Sequence, residues 1–279
     1  QTPGAAAPLP TEVYRQRLDR ARATMAEQGV DVMLLSLGLD LPYLTGYHAM
    51  PLERLTMLVV PRDGEAIMVI PRLEAPRVEE QPGVFTLHPW GETEDPVRIV
   101  ASLAGKAGVA AIGDQTWARF LVDLLPLMNG TEFRRAVEVV GPMRMAKDAA
   151  EIAALRAAAE AVDRIAAALQ AGRIPLVGRT EAEVSADLGA RIIAEGHQVV
   201  NFAIVAAGEN AASPHHTPGS RVIRAGEVVL CDFGGTMNGY CSDITRCVSL
   251  GTPPDEVRRA YDVLLEAQQA AVALGGAGT

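Results

Sequence analysis

Apolar and polar positions alternate between helical and extended rhythms along the first half of this chain. Thr11 to Gln28 reads as a helix that stops at Gly29. Val30 to Leu37 is a strand-like apolar run, followed by a loop over Gly38 to Glu53 that contains Leu41-Pro42-Tyr43-Leu44-Thr45-Gly46. Arg54 to Pro61 and Glu65 to Ile70 predict paired strands around Asp63-Gly64. Asp95 to Lys106 and Thr116 to Met128 predict helices, with a short strand, Val109 to Ile112, between them. Such alternation implies an α/β first domain.

A break is expected near Gly141-Pro142. Beyond it, Asp148-Ala149-Ala150-Glu151 matches a capping box and opens a long Ala-rich helix to about Ala171. Thr180-Glu181-Ala182-Glu183 is a second box, opening a helix to about Glu195. Strands then dominate, over Phe202 to Ala207, Glu227 to Phe233 and Tyr240 to Leu250. Pro254 sits near the first turn of a last helix, which runs to about Leu274. The Ala/Pro-rich start, Gln1 to Pro10, reads as a disordered tail without the basic and apolar regions of a secretion signal.

Composition narrows the function. The chain has 279 residues, enough for one large or two ordinary domains, and its 49% hydrophobic content is ample for a core. No apolar run is long enough to span a membrane. A net charge of −9 with no basic stretch argues against nucleic acid or an anionic membrane as the main partner. Three cysteines cannot form a full disulfide framework. Cys231 and Cys241 are expected as reduced, buried thiols on the face opposite the neighbouring aspartates, in a cytosolic protein.

The candidate chemistry lies in Cys231-Asp232-Phe233-Gly234-Gly235-Thr236-Met237-Asn238-Gly239-Tyr240-Cys241-Ser242-Asp243. Two strand-like runs around a Gly/Asn cluster predict a β-hairpin. With the turn centred between Met237 and Asn238, Asp232 lies opposite Asp243; with Asn238-Gly239 as a two-residue turn it lies opposite Thr245, and Asp243 is the diagonal neighbour. Either register sets both carboxylates on one face. Paired acids repel unless a cation holds them, and oxygen ligands suit hard divalent ions. Aspartates flanking a Gly-rich turn also serve as plain turn formers.

These residues resemble a known family. Asp232-Phe233-Gly234 with Tyr240-Cys241-Ser242-Asp243-Ile244-Thr245-Arg246 is similar to the paired-Asp signature of the pita-bread metallopeptidases, most of all the proline-specific branch of Xaa-Pro dipeptidases and aminopeptidases. Gly208-Glu209-Asn210 to Pro214-His215 and Met143 to Ile152 resemble further stretches of that family, and Tyr43-Leu44-Thr45-Gly46-Tyr47 resembles part of its N-terminal domain. The resemblance implies an α/β creatinase-type N-terminal domain over residues 11–141. It implies the first half of an α+β pita-bread catalytic domain over residues 146–279, with the C-terminal half absent.

The implied activity is that of a metallo-exopeptidase hydrolysing Xaa-Pro bonds in dipeptides or at peptide N-termini. The implied cofactors are two divalent ions, Mn²⁺ or Co²⁺ favoured and Zn²⁺ less so, sharing an activated water. The family's site has five ligands, two Asp, a His and two Glu. Asp232 and Asp243 match the first two, as a bidentate and a bridging ligand, and the chain offers no His or Glu after the last helix. His215 matches the histidine that stabilises the tetrahedral intermediate.

Thr245 is expected to hydrogen-bond a ligand carboxylate or to be an ordinary strand residue, and Arg246 to pair with an acid near the metals or at the surface. Tyr240 is expected to line the substrate pocket or to pack at the hairpin. His216 reads as a loop residue, His48, His88 and His197 as surface or capping residues, and Trp90 and Trp117 as core. The expected protein is a cytoplasmic homodimer. Residues 1–279 alone are expected to be unstable or oligomeric, and inactive. The alternative is a catalytically silent pita-bread interaction module; a metal-free amidinohydrolase has no need of the Asp pair.

Overall fold

The computed structural model describes residues 9–276; the expected tail up to residue 8 and the last three residues of the chain lie outside the described residues. The chain divides into two compact units, one reaching Lys147 and one running from Asp148.

The first unit opens with α1 (Thr11–Gln28), whose buried residues Tyr14, Arg17, Leu18, Ala21 and Met25 recur at helical spacing. Gly29 ends it in the left-handed conformation, at φ 68°. Next come β1 (Val32–Leu35), buried at all four positions, and a short helix, α2 (Asp40–Thr45). A loop was the expectation for this second stretch. Pro42 falls in the first turn, where its missing N–H is no loss, and the Thr45 hydroxyl donates to the Leu41 carbonyl at 2.7 Å.

The hairpin of β2 (Met57–Pro61) and β3 (Ile67–Pro71) follows as predicted. It joins β4 (Thr86–Trp90), α3 (Pro96–Ala104), β5 (Val109–Ile112), α4 (Ala118–Leu127) and β6 (Glu132–Arg135). The six strands lie in the order β4-β3-β2-β1-β5-β6. The edge strands β4 and β6 escaped prediction. One contains Pro89, tolerated at an edge, and the other reads Glu-Phe-Arg-Arg, with no apolar run. Trp90 is buried and donates to the Leu55 carbonyl, but Trp117 is exposed at the start of α4, stacked on Phe120 instead of in the core.

The Gly141-Pro142 pair lies inside α5 (Val137–Met145), and the division between the two units falls shortly after that helix, at Lys147. Pro142 cannot donate to the Glu138 carbonyl one turn back, and the Gln28 side-chain amide takes that carbonyl at 3.1 Å.

The second unit begins with α6 (Ala149–Gln170) and α7 (Glu181–Ala194), both opened by complete capping boxes. Its sheet is built from β7 (Val199–Ala207), β8 (Val228–Met237), the two-residue β9 (Tyr240–Cys241) and β10 (Ile244–Ser249), in the order β10-β8-β7 with β9 pairing β8. Both helices cover one face, where Val162, Ile165, Val184 and Leu188 pack with Val205, Val229, Cys231, Phe233 and Ile244. Side chains of the other parity, among them Leu230, Asp232 and Thr236, stay half-buried.

Last comes α8 (Asp255–Leu274), which buries none of its residues and exposes Tyr261, Val263, Leu264, Leu265, Val272 and Leu274. Apolar surface on this scale drives association. A polypeptide of residues 1–279 is therefore expected to self-associate, its weight-average mass in sedimentation equilibrium rising with concentration. A monodisperse monomer across that range would contradict this.

Candidate functional site

The hairpin that carries the two aspartates is closed by Asn238 (φ 53°) and Gly239 (φ 83°). Two left-handed residues in sequence make the two-residue turn whose twist matches the strands. Met237 therefore faces Tyr240 and Thr236 faces Cys241, and Asp232 lies opposite Thr245. Of the two registers open from sequence, this is the one in which Asp243 is the diagonal neighbour of Asp232. The Thr245 hydroxyl donates to Asp232 Oδ1 at 2.7 Å.

Ser242 and Asp243 interrupt the strand between β9 and β10, and the Ser242 amide donates to the Gly235 carbonyl at 2.9 Å. Gly234 makes this approach possible, and Gly235 makes room for β7 on the other side. A Cβ on Gly234 would collide with the Ser242 carbonyl; one on Gly235 would lie 2.5 Å from the Val199 carbonyl oxygen. The Ser242 hydroxyl is held from both sides, 2.8 Å from His197 Nε2 and 3.2 Å from the Gly235 amide. His197 was expected at the surface or as a cap. It is buried, and that burial pushes its pKa down, so the ring is neutral near pH 7.

Cys241 also departs from expectation. It stands two residues before Asp243, so strand alternation puts it on the aspartate face, exposed and 3.6 Å from Thr236 Oγ1. Cys247 is exposed as well, and of the three thiols only Cys231 is buried.

Asp232 is half-buried and Asp243 exposed, and neither forms an ion pair with a cationic side chain among the described residues. Two oxygen-donor groups left together without a cation fit a hard divalent ion. By themselves they do not make a complete metal site, since among the described residues no group of three or more His, Cys, Asp or Glu side chains is placed to hold a metal.

The other singled-out residues point elsewhere. The Tyr240 hydroxyl donates to Glu151 Oε1 at 3.0 Å, tying the hairpin to the start of α6, and Arg246 donates to the Thr245 carbonyl at 2.8 Å. The structure thus gathers Asp232, Asp243 and Thr245 and leaves Tyr240 and Arg246 apart from them.

His215 is exposed, in the segment that follows the short 3₁₀ turn Gly208–Ala212. That segment is anchored by a residue that sequence reading passed over. Glu181, at the first position of α7, has no exposed surface. Its carboxylate accepts from the Ala207 amide (2.8 Å), Asn210 Nδ2 (2.9 and 3.1 Å), His216 Nε2 (2.8 Å) and the Gly219 amide (3.5 Å). Burial alone would raise its pKa; these donations outweigh it and hold the group below the usual carboxylate range. His216 is therefore a fixed partner and not an idle loop residue. Beside it, Arg221 grips both Glu209 (2.7 Å) and Glu227 (2.8 Å). With the Arg224 amide, Arg221 pulls Glu227 down to about 2.

With this geometry established, comparison with known proteins identifies the class. Residues 152–279 match the family model described as metallopeptidase family M24, and residues 17–146 match the creatinase/prolidase N-terminal domain. The chain belongs to metallopeptidase family M24, with a creatinase-type N-terminal domain ahead of a pita-bread domain. It is 40% identical over 267 residues to a probable dipeptidase PepE of Mycobacterium tuberculosis, covering 93% of this chain and 70% of the relative. Among solved structures it is similar to dipeptidase PepE from Mycobacterium ulcerans, with a TM-score of 0.89 and 39% identity over 95% of this chain and 72% of that one. It is also similar to a prolidase from Thermococcus sibiricus, with a TM-score of 0.85 and 34% identity over 93% and 71% of the two chains.

The Glu227 clamp gives a pH test. Its carboxyl falls from 4.5 to about 2 on folding, so its stabilisation is complete above about pH 4.5 and is lost as the pH drops through about 2. Glu227→Gln is expected to lower stability by about 1.5–3 kcal/mol near pH 7, as for hydrogen bonds to charged groups. Urea unfolding at a series of pH values should show the gap closing below pH 4.5; a gap that is independent of pH would contradict the clamp.

Proposed function

We propose that the protein is a metal-dependent exopeptidase that hydrolyses Xaa-Pro bonds in dipeptides or at peptide N-termini. The observation that carries this is the open face shared by Asp232 and Asp243, with Thr245 hydrogen-bonded to the first, in a chain of a peptidase family. Its 40% identical relative is named a probable dipeptidase, and the Thermococcus sibiricus structure is named a prolidase, which favours dipeptides ending in proline as substrates. Two divalent ions are the proposed cofactors, with Mn²⁺ or Co²⁺ favoured by carboxylate ligation. Asp232 and Asp243 would supply part of their ligation, and the ions would activate a water for hydrolysis near neutral pH.

The chain's own residues orient and stabilise. Thr245 takes up one oxygen of Asp232 and so fixes the direction in which the other is presented. The His197–Ser242 bond pins the backbone immediately before Asp243. His215, exposed within its anchored segment, donates a hydrogen bond to the oxyanion that develops on the scissile carbonyl. The exposed thiols of Cys241 and Cys247 suit a reducing compartment, which favours the cytoplasm. A silent interaction module is not favoured, because it has no use for two like charges kept side by side.

The test is proline release from Xaa-Pro dipeptides, and N-terminal residue release from longer Xaa-Pro peptides, by the full-length protein with Mn²⁺. Asp232→Asn is expected to abolish both, and Thr245→Val to reduce activity by about 10–100-fold, the usual effect of removing a ligand's supporting hydrogen bond. Absence of release from every Xaa-Pro substrate by the metal-loaded wild type would sink the proposal.

A further inference from the structure

We infer that Glu181 is a positioning residue for His215: through Asn210, His216 and the amides of Ala207 and Gly219, its buried carboxylate fixes the segment that presents the His215 ring. The inference rests on the role proposed above for His215.

Capping does not explain Glu181. The α7 N-terminus already has its box, formed by Thr180 and Glu183. A carboxylate with no exposed surface is an expensive thing to keep charged unless donors saturate it, since it can only accept. Every donor that saturates it comes from one stretch of chain. Ala207 lies just before the 3₁₀ turn, Asn210 within it, His216 directly after His215, and Gly219 at the far end. The carboxylate thus binds the stretch at both ends and twice in between.

Arg221 fastens the same stretch independently, reaching Glu209 within the turn and Glu227 just before β8. Gly208 is part of this fit, because a Cβ there would come within 2.7 Å of the Arg221 guanidinium. The pattern is selective. His216 is held, while the adjacent His215 ring is left exposed, with no hydrogen bond among the described residues. A segment needed only for packing is served as well or better by apolar groups, whereas a network of fixed hydrogen bonds sets direction.

A double-mutant cycle on the full-length, Mn²⁺-loaded enzyme tests this. His215→Ala is expected to lower kcat about 100-fold, as for loss of an oxyanion donor, and Glu181→Gln about 10-fold or more through misalignment. KM and the dissociation constant for Mn²⁺, read by titration calorimetry, should stay within about twofold of wild type in Glu181→Gln. The decisive expectation is that adding Glu181→Gln to His215→Ala lowers kcat no further.

His216→Gln is the milder companion. It leaves the carboxylate its other donors, so it should fold, and its smaller loss of kcat should likewise vanish in the His215→Ala background. Equal kcat losses with and without His215 would overturn the inference and show a merely structural role. Unchanged kcat in Glu181→Gln would overturn it too. Unchanged activity in His215→Ala alone would instead remove the role proposed for His215, a separate failure visible in one variant, and Glu181 would then have nothing to position.

Discussion

The register of β8 against β10 determines what this molecule presents to its surroundings. Strand side chains alternate, so a slip of β10 by one residue against β8 would turn Asp243 into the helix-covered core and bring Ile244 out. Buried there without a partner, that carboxylate would be prohibitive. Three features hold the register. Asn238 and Gly239 adopt the left-handed turn, Gly234 allows Ser242 to come close, and His197 and the Gly235 amide hold the Ser242 hydroxyl. The helices supply the other half of the constraint, since the apolar stripes of α6 and α7 accept only one face of the sheet.

The second unit treats its acids in two opposite ways. Glu181 is fully buried, saturated by donors and held below the usual carboxylate range. Asp232 and Asp243 are left toward solvent, side by side and without a cationic side chain. The first arrangement builds stiffness into the segment around His215. The second leaves two oxygen-donor groups open on one face, which suits the metal-binding role proposed for them.

Legibility from sequence followed the range of the interactions. The capping boxes at Asp148 and Thr180 span four residues each and were read correctly, as was the helix stop at Gly29. The hairpin was legible down to a choice between two registers, because turn chemistry and alternation are both local. What escaped depends on partners far along the chain. Glu181 meets Ala207 at a separation of 26 residues and His197 meets Ser242 at 45, and no short pattern marks either. The edge strands β4 and β6 carry proline and charge, so only their pairing defines them. Cys241 was misplaced by an error of parity, since it lies two residues from Asp243 and not one.

The most direct measurement is a crystal structure of the full-length protein soaked in Mn²⁺, with anomalous diffraction collected near the manganese edge. Anomalous density within coordinating distance of both the Asp232 and Asp243 carboxylates is expected, with Thr245 still hydrogen-bonded to Asp232. Density confined to other parts of the chain, or an Asp pair with no anomalous peak at saturating Mn²⁺, would contradict the claim that this hairpin exists to hold metal.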